Sequence, residues 1–140
     1  MNTRRVVYAV TTDEYWRDML RKIGDETFRI ETVYCPEGYP DCLENLPDAD
    51  PAALLLLDAT GLPDVAGTVR RLRQRGWRYI VVVAADPSAH EARAVFKAGG
   101  HDYWAKTSDA SVARRQVQEC LQEMGAGNSV IRRTREVDVL

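Results

Sequence analysis

The sequence predicts a three-layer α/β sandwich built on a five-stranded parallel sheet, and three observations carry that reading. Short apolar runs alternate with longer amphipathic ones, the mark of strands joined by crossover helices. Runs such as AALLLLDA and YIVVVAA are apolar almost throughout, as strands covered on both faces must be. Glycine follows the last periodic residue of four helical segments, where a left-handed helix terminator belongs.

In chain order the strands are residues 4–10 (RRVVYAV), 28–35 (FRIETVYC), 52–59, 79–85 and 101–106 (HDYWAK). FRIETVY alternates apolar with polar residues, so the second strand is placed at an edge. Between them the periodicity predicts helical segments at 13–23 closed by Gly24, a short irregular one near 41–46, then 64–75 closed by Gly76, 89–98 closed by Gly99 and 108–124 closed by Gly125. Thr11 and Glu14 in TTDE have capping-box spacing. Right-handed crossovers then give, most simply, the flavodoxin-like strand order 2-1-3-4-5. One domain is expected over residues 1–124; the tail 125–140, GAGNSVIRRTREVDVL, is a linker, an extra strand or a partner-binding arm.

A chain of 140 residues with 45% hydrophobic content fills one core without staples. Its net charge of -2 offers no bulk attraction to nucleic acid or anionic lipid, so protein or small-molecule partners are expected. The opening MNTRRVVYAV has too short an apolar run for a signal peptide, and a cytosolic protein is expected. Cys35, Cys42 and Cys120 are odd in number and lack metal spacing, so they read as reduced, structural thiols.

In a sheet of this kind ligands sit beyond the carboxyl ends of the strands. Asp58 lies there, carried by four leucines, with Thr11 and Thr12 after the first strand, Ala84 and Ala85 at the end of the fourth and Lys106 at the end of the fifth. LLLLD and YIVVVAADPSAHEARAVFKAGGHDYWAKT together resemble the third strand and the strand-helix-strand end of response-regulator receiver domains. The resemblance covers roughly residues 4 to 124. It implies that Asp58 stands at the acceptor of a phosphoryl group from a histidine kinase. It likewise sets Lys106 at the lysine that pairs with the phosphoryl oxygens and Tyr103 at the aromatic whose rotamer reports the switch.

This sequence also departs from the family pattern. Thr11 and Thr12 stand where the family has the acidic pair that holds magnesium, Ala84 stands at the switch hydroxyl, and Thr107 follows the lysine in place of proline. The loop DATGLPDVAG is one residue longer than the usual aspartate-to-glycine spacing. With three acids and one lysine reduced to Asp58 and Lys106, the formal charge of the pocket moves from about -2 to about 0, so magnesium binding is expected to be weak and no other cofactor is implied. Asp58 is instead expected to rest in an ion pair with Lys106, within roughly 4 Å. Asp13 and Glu14 are accounted for by the helix dipole.

These readings imply a receiver domain of two-component phosphorelay signalling that is not an enzyme, takes phosphoryl groups weakly or not at all, and works through protein contacts. The alternative is a pseudo-receiver that binds its partner constitutively. A flavodoxin-like nucleotide or flavin binder is disfavoured because TTDEYW has no glycine-rich phosphate loop. Expected partners are a histidine kinase or phosphotransfer protein and a downstream output protein. A homodimer is expected through the fourth helical segment, fifth strand and last helix, where Val95, Phe96, Tyr103 and Trp104 offer anchors among charged neighbours. His90 and His101 read as solvent-facing or turn residues. RRLRQRGWR (70–78) reads as a solvated basic face, with Trp77 packing its helix onto the sheet.

Overall fold

A computed structural model describes residues 4–39 and 41–126. Five parallel strands form one sheet: β1 (Arg5–Thr11), β2 (Phe28–Tyr34), β3 (Leu54–Asp58), β4 (Tyr79–Ala84) and β5 (Asp102–Ala105). Their order is β2-β1-β3-β4-β5, as the sequence predicts, with β2 at one edge. The helices are α1 (Glu14–Arg21), α2 (Val65–Gln74), α3 (Ala89–Lys97) and α4 (Ala110–Ala126), and a 3-10 turn (Asp41–Asn45) replaces the second crossover helix. Residues 127–140, most of the predicted tail, lie outside the described residues, while α4 runs two residues past the predicted boundary at 124.

Strand alternation splits the core into two layers. Val7, Ala9, Leu54, Leu56, Val81, Val83 and Trp104 pack with Trp16 and Leu20 of α1 and Val117, Cys120 and Leu121 of α4. On the other side Val10, Leu55, Leu57, Ile80, Val82 and Tyr103 meet Leu43 and Leu46 of the turn segment, Val69 and Leu72 of α2, Trp77, and Ala92 and Val95 of α3. All four leucines of LLLLD are at most 1% exposed, because each face of the sheet is covered. Trp77 is buried and meets Tyr8 edge-on, so it fixes the end of α2 onto the sheet.

Several local expectations are corrected. Gly76 and Gly99 do adopt the left-handed conformation, and both close six-to-one bonds, Trp77 N–H to Leu72 O and Gly100 N–H to Val95 O. Gly24 does not: α1 ends at Arg21, and the carboxylate of Asp25 turns the chain by accepting from the amides of Thr27 and Phe28. Gly125 does not either, since α4 continues through it. Asp13, not Thr11, caps α1, its Oδ1 accepting from the amides of Tyr15 and Trp16. Thr11 is still in the strand and faces inward.

Cys35 and Cys42 are joined by a disulfide across seven residues, against the reduced state expected; Cys120 is buried and takes no part in that disulfide. Counting cysteines could not show that the end of β2 and the start of the 3-10 turn approach to 5.6 Å between Cα atoms. The aromatic anchors expected on an outer face are also interior. Tyr103 is 2% and Trp104 6% exposed, on opposite sides of β5, Val95 is fully buried and Phe96 partly so. His90 is exposed, whereas His101, in the bend before β5, is buried edge-on to Tyr79. Among the described residues no helix is long and apolar enough to cross a membrane.

Candidate functional site

The carboxyl ends of β1, β3 and β4 and the segment after β5 converge on Asp58. Leu57 commits the strand to the core, and the next residue emerges where β1 and β4 also end, beneath the loops that follow them. Asp58 has no exposed surface. Thr11 Oγ1 donates to its Oδ2 at 2.6 Å, and Lys106 Nζ donates to the same oxygen at 2.9 Å. The amide of Thr60 donates to Oδ1 at 3.0 Å. A carboxylate taken wholly out of water is tolerable only with such compensation, and here three donors supply it.

Lys106 is held where it is by its own backbone, whose amide bonds Ala84 O at 2.8 Å, so the ammonium is delivered across the end of β4. Its Nζ touches a second acid as well, Asp13 Oδ2 at 2.8 Å, and lies 5.4 Å from the centre of the Trp16 ring. Burial works against the lysine charge, but the bonds and charges of Asp13 and Asp58 outweigh it and hold the pKa above its ordinary value. Burial likewise raises the Asp13 pKa, while the Lys106 contact and the amides of α1 pull it below the usual carboxylate range. The pocket is thus a chain of opposite charges, Asp13 to Lys106 to Asp58, closed by the Thr11 hydroxyl.

Sequence reasoning missed two members of this site. The helix dipole already accounts for an acid at Asp13, which hid both of its roles: one oxygen caps α1 and the other takes Lys106. Tyr39 lies in the irregular loop between Cys35 and Cys42, and its hydroxyl donates to the main-chain carbonyls of Asp58 at 2.9 Å and Val10 at 3.2 Å. Burial, and then the nearby Asp58 charge, push its phenol far above the ordinary value. No periodic signal marks it; the only available clue is an aromatic between two cysteines and two prolines in CPEGYPDC.

The remaining predicted residues divide between this pocket and its surroundings. Thr12 is half-buried on the loop side, with Gly61 close to its hydroxyl. Thr107 accepts the Asp109 amide at the start of α4, outside the Asp58 bonding network. Ala84 is buried at the end of β4 and presents a methyl group. Tyr103 turns away from Asp58: its hydroxyl donates to Glu91 Oε1 at 2.8 Å and accepts the Ser88 amide at 3.2 Å. Burial raises its pKa to about 12, with the Ser88 amide opposing and Glu91 reinforcing.

No protein-family model matches the sequence, and no curated protein matches it closely. Solved structures do. A response regulator from Thermotoga maritima is similar at 14% identity with a TM-score of 0.67, over 86% of this chain and 99% of that one. HP1043, an orphan response regulator of H. pylori, is similar at 17% identity and a TM-score of 0.66, over 85% and 99%. A third, an atypical orphan response regulator described by a phosphorylation-independent regulatory mechanism, is similar at 16% identity and a TM-score of 0.56, over 84% and 95%. At these identities the likeness is one of architecture: the chain has the flavodoxin-like fold of response-regulator receiver domains.

Proposed function

We propose that the chain is a receiver-fold module of two-component signalling that acts through protein contacts and keeps Asp58 as a structural acid in place of a working phosphoacceptor. The state of the Asp58 carboxylate carries this reading. It is fully buried, and both oxygens are already engaged, by Thr11, Lys106 and Thr60. To attack phosphorus in line, an oxygen would first have to leave these donors.

The donor set does not fit magnesium, which seeks one or two free carboxylates among waters. Asp13 and Asp58 share one ammonium, and Thr11 offers a hydroxyl committed to Asp58. A nucleotide or flavin would need free amides at the start of α1, and Asp13 occupies those of Tyr15 and Trp16. The module is not an enzyme; its partners are a kinase or phosphotransfer protein and an output protein. The phosphorylation-independent mechanism ascribed to one structural neighbour is in keeping with this reading.

Incubation with acetyl phosphate and magnesium, followed by intact mass measurement, tests it. The mass is expected to stay unchanged over hours. Fast magnesium-dependent labelling that disappears in Asp58→Asn would overturn the reading and restore a phosphorylated receiver.

A further inference from the structure

Charge is segregated along this chain. No lysine or arginine occurs between Arg29 and Arg70, whereas Arg70, Arg71, Arg73, Arg75 and Arg78 then fall within nine residues. Folding places the two kinds of segment side by side on one face. Arg75 of α2 donates to Leu43 O of the 3-10 turn at 2.9 Å, and Gly76 lies against Ala49. Glu44, Asp48 and Asp50 are exposed along that side. On the other side α3 packs on α2, with Gly99 against the Arg73 side chain, and adds the exposed Arg93 and Lys97. Its one acid near this face, Glu91, is taken by the Tyr103 hydroxyl. The ion pairs among the described residues involve Arg17, Arg29 and Lys106, and none of these seven cations.

An acidic strip beside a basic strip on one face is complementary to itself. A two-fold axis lying along the boundary brings the base of each copy over the acid of the other, and the contact closes at two. We propose that this face, formed by the 3-10 turn segment, α2 and α3, is the surface on which a second copy of the chain docks. The copy fits better than nucleic acid, because a phosphate backbone laid over α2 and α3 would meet the Glu44, Asp48 and Asp50 strip at its side. It also fits better than the face around β5, whose aromatic residues are spent in the core. The boundary at Ala49 and Gly76 supplies little apolar surface, so the dimer is weak and held by charge. The inference stands independently of whether Asp58 is phosphorylated.

Sedimentation equilibrium of the full chain tests it. At low salt the wild type is expected to dimerise and at 0.5 M sodium chloride to be monomeric. Arg70 is exposed and its side chain has no hydrogen bond or ion pair among the described residues, so Arg70→Glu, like Glu44→Arg, should fold normally while weakening the dimer about tenfold or more. Mixing the two variants, or combining both changes in one chain, should restore it, since each reversed charge then faces the other. A chain monomeric at low salt and high concentration overturns the proposal. So does a dimer indifferent to salt, or a mixture of the variants that fails to associate. If Arg70→Glu instead abolishes binding to a DNA duplex while the wild type alone stays monomeric, the face belongs to nucleic acid and the proposal also falls.

Discussion

Asp58 at the end of β3 and Tyr103 within β5 lie on strands separated only by β4, yet different physics fixes them. Asp58 is held by partners from distant parts of the chain: Thr11 from β1, Lys106 from beyond β5, and Tyr39 through its main-chain carbonyl. Tyr103 is held by burial and by Ser88 and Glu91, at the start of the helix that immediately precedes its strand. On the strand between them Val83 pairs with Asp58 and Val82 with Tyr103, and neither side chain can pass a hydrogen bond from one to the other. Among the described residues the side-chain hydrogen bonds of Asp58 and those of Tyr103 share no partner. The contrast teaches that two sites can each be well held without sharing a side-chain partner.

The largest test of the contrast removes Lys106. Lys106→Ala would leave a fully buried carboxylate with only Thr11 and Thr60, and a loss of about 3 kcal/mol is expected in urea unfolding. Amide shifts around Tyr103 should barely move, which NMR checks directly; large changes there would show that the regions are coupled after all. Less is at stake in the two phenols. Tyr39→Phe removes a donor to two strand ends and should cost about 1 to 2 kcal/mol, against about 1 kcal/mol for Tyr103→Phe. Only the first should disturb the Asp58 signals.

The smallest effect is one of pH, and its acid limb separates the regions. Asp13 titrates below its ordinary value when folded, so its contribution is present above about pH 4 and fades as pH falls through the lower folded value. Lys106, raised when folded, contributes below about pH 10 and fades as pH climbs past it. Tyr103, ordinarily near 10 and pushed up to about 12, loses its contribution only across that alkaline interval. Acid therefore acts on the Asp58 pocket and spares the tyrosine. In Asp13→Asn the acid limb of a stability-pH curve should shrink, and in Tyr103→Phe the alkaline limb should do so.

Much of this was readable beforehand, for reasons that vary by residue. LLLLD announced a strand buried on both faces with an acid at its mouth, because strand period is a property of local sequence, and the receiver resemblance carried by AGGHDYWAK implied that Lys106 stands beside it. What failed was mostly what depends on partners far along the chain. Asp13 looked complete as a first-turn acid accounted for by the helix dipole; Tyr39 and the Cys35–Cys42 link depend on how an irregular loop closes over two strand ends. Tyr103 and Trp104 looked like surface anchors because the receiver resemblance implies an interface on that face; adjacent strand residues point to opposite faces, and here both faces are covered.

The double contact of Tyr39 has a consequence for the order in which the molecule assembles. Its hydroxyl spans the ends of β1 and β3, 29 residues back and 19 ahead in the chain, so its place exists only once those strands have come together. A contact of that sort is expected to form late, after the barrier to folding has been crossed. Tyr39→Phe should then leave the folding rate nearly unchanged and raise the unfolding rate, making one loop tyrosine a regulator of how long the folded molecule lasts.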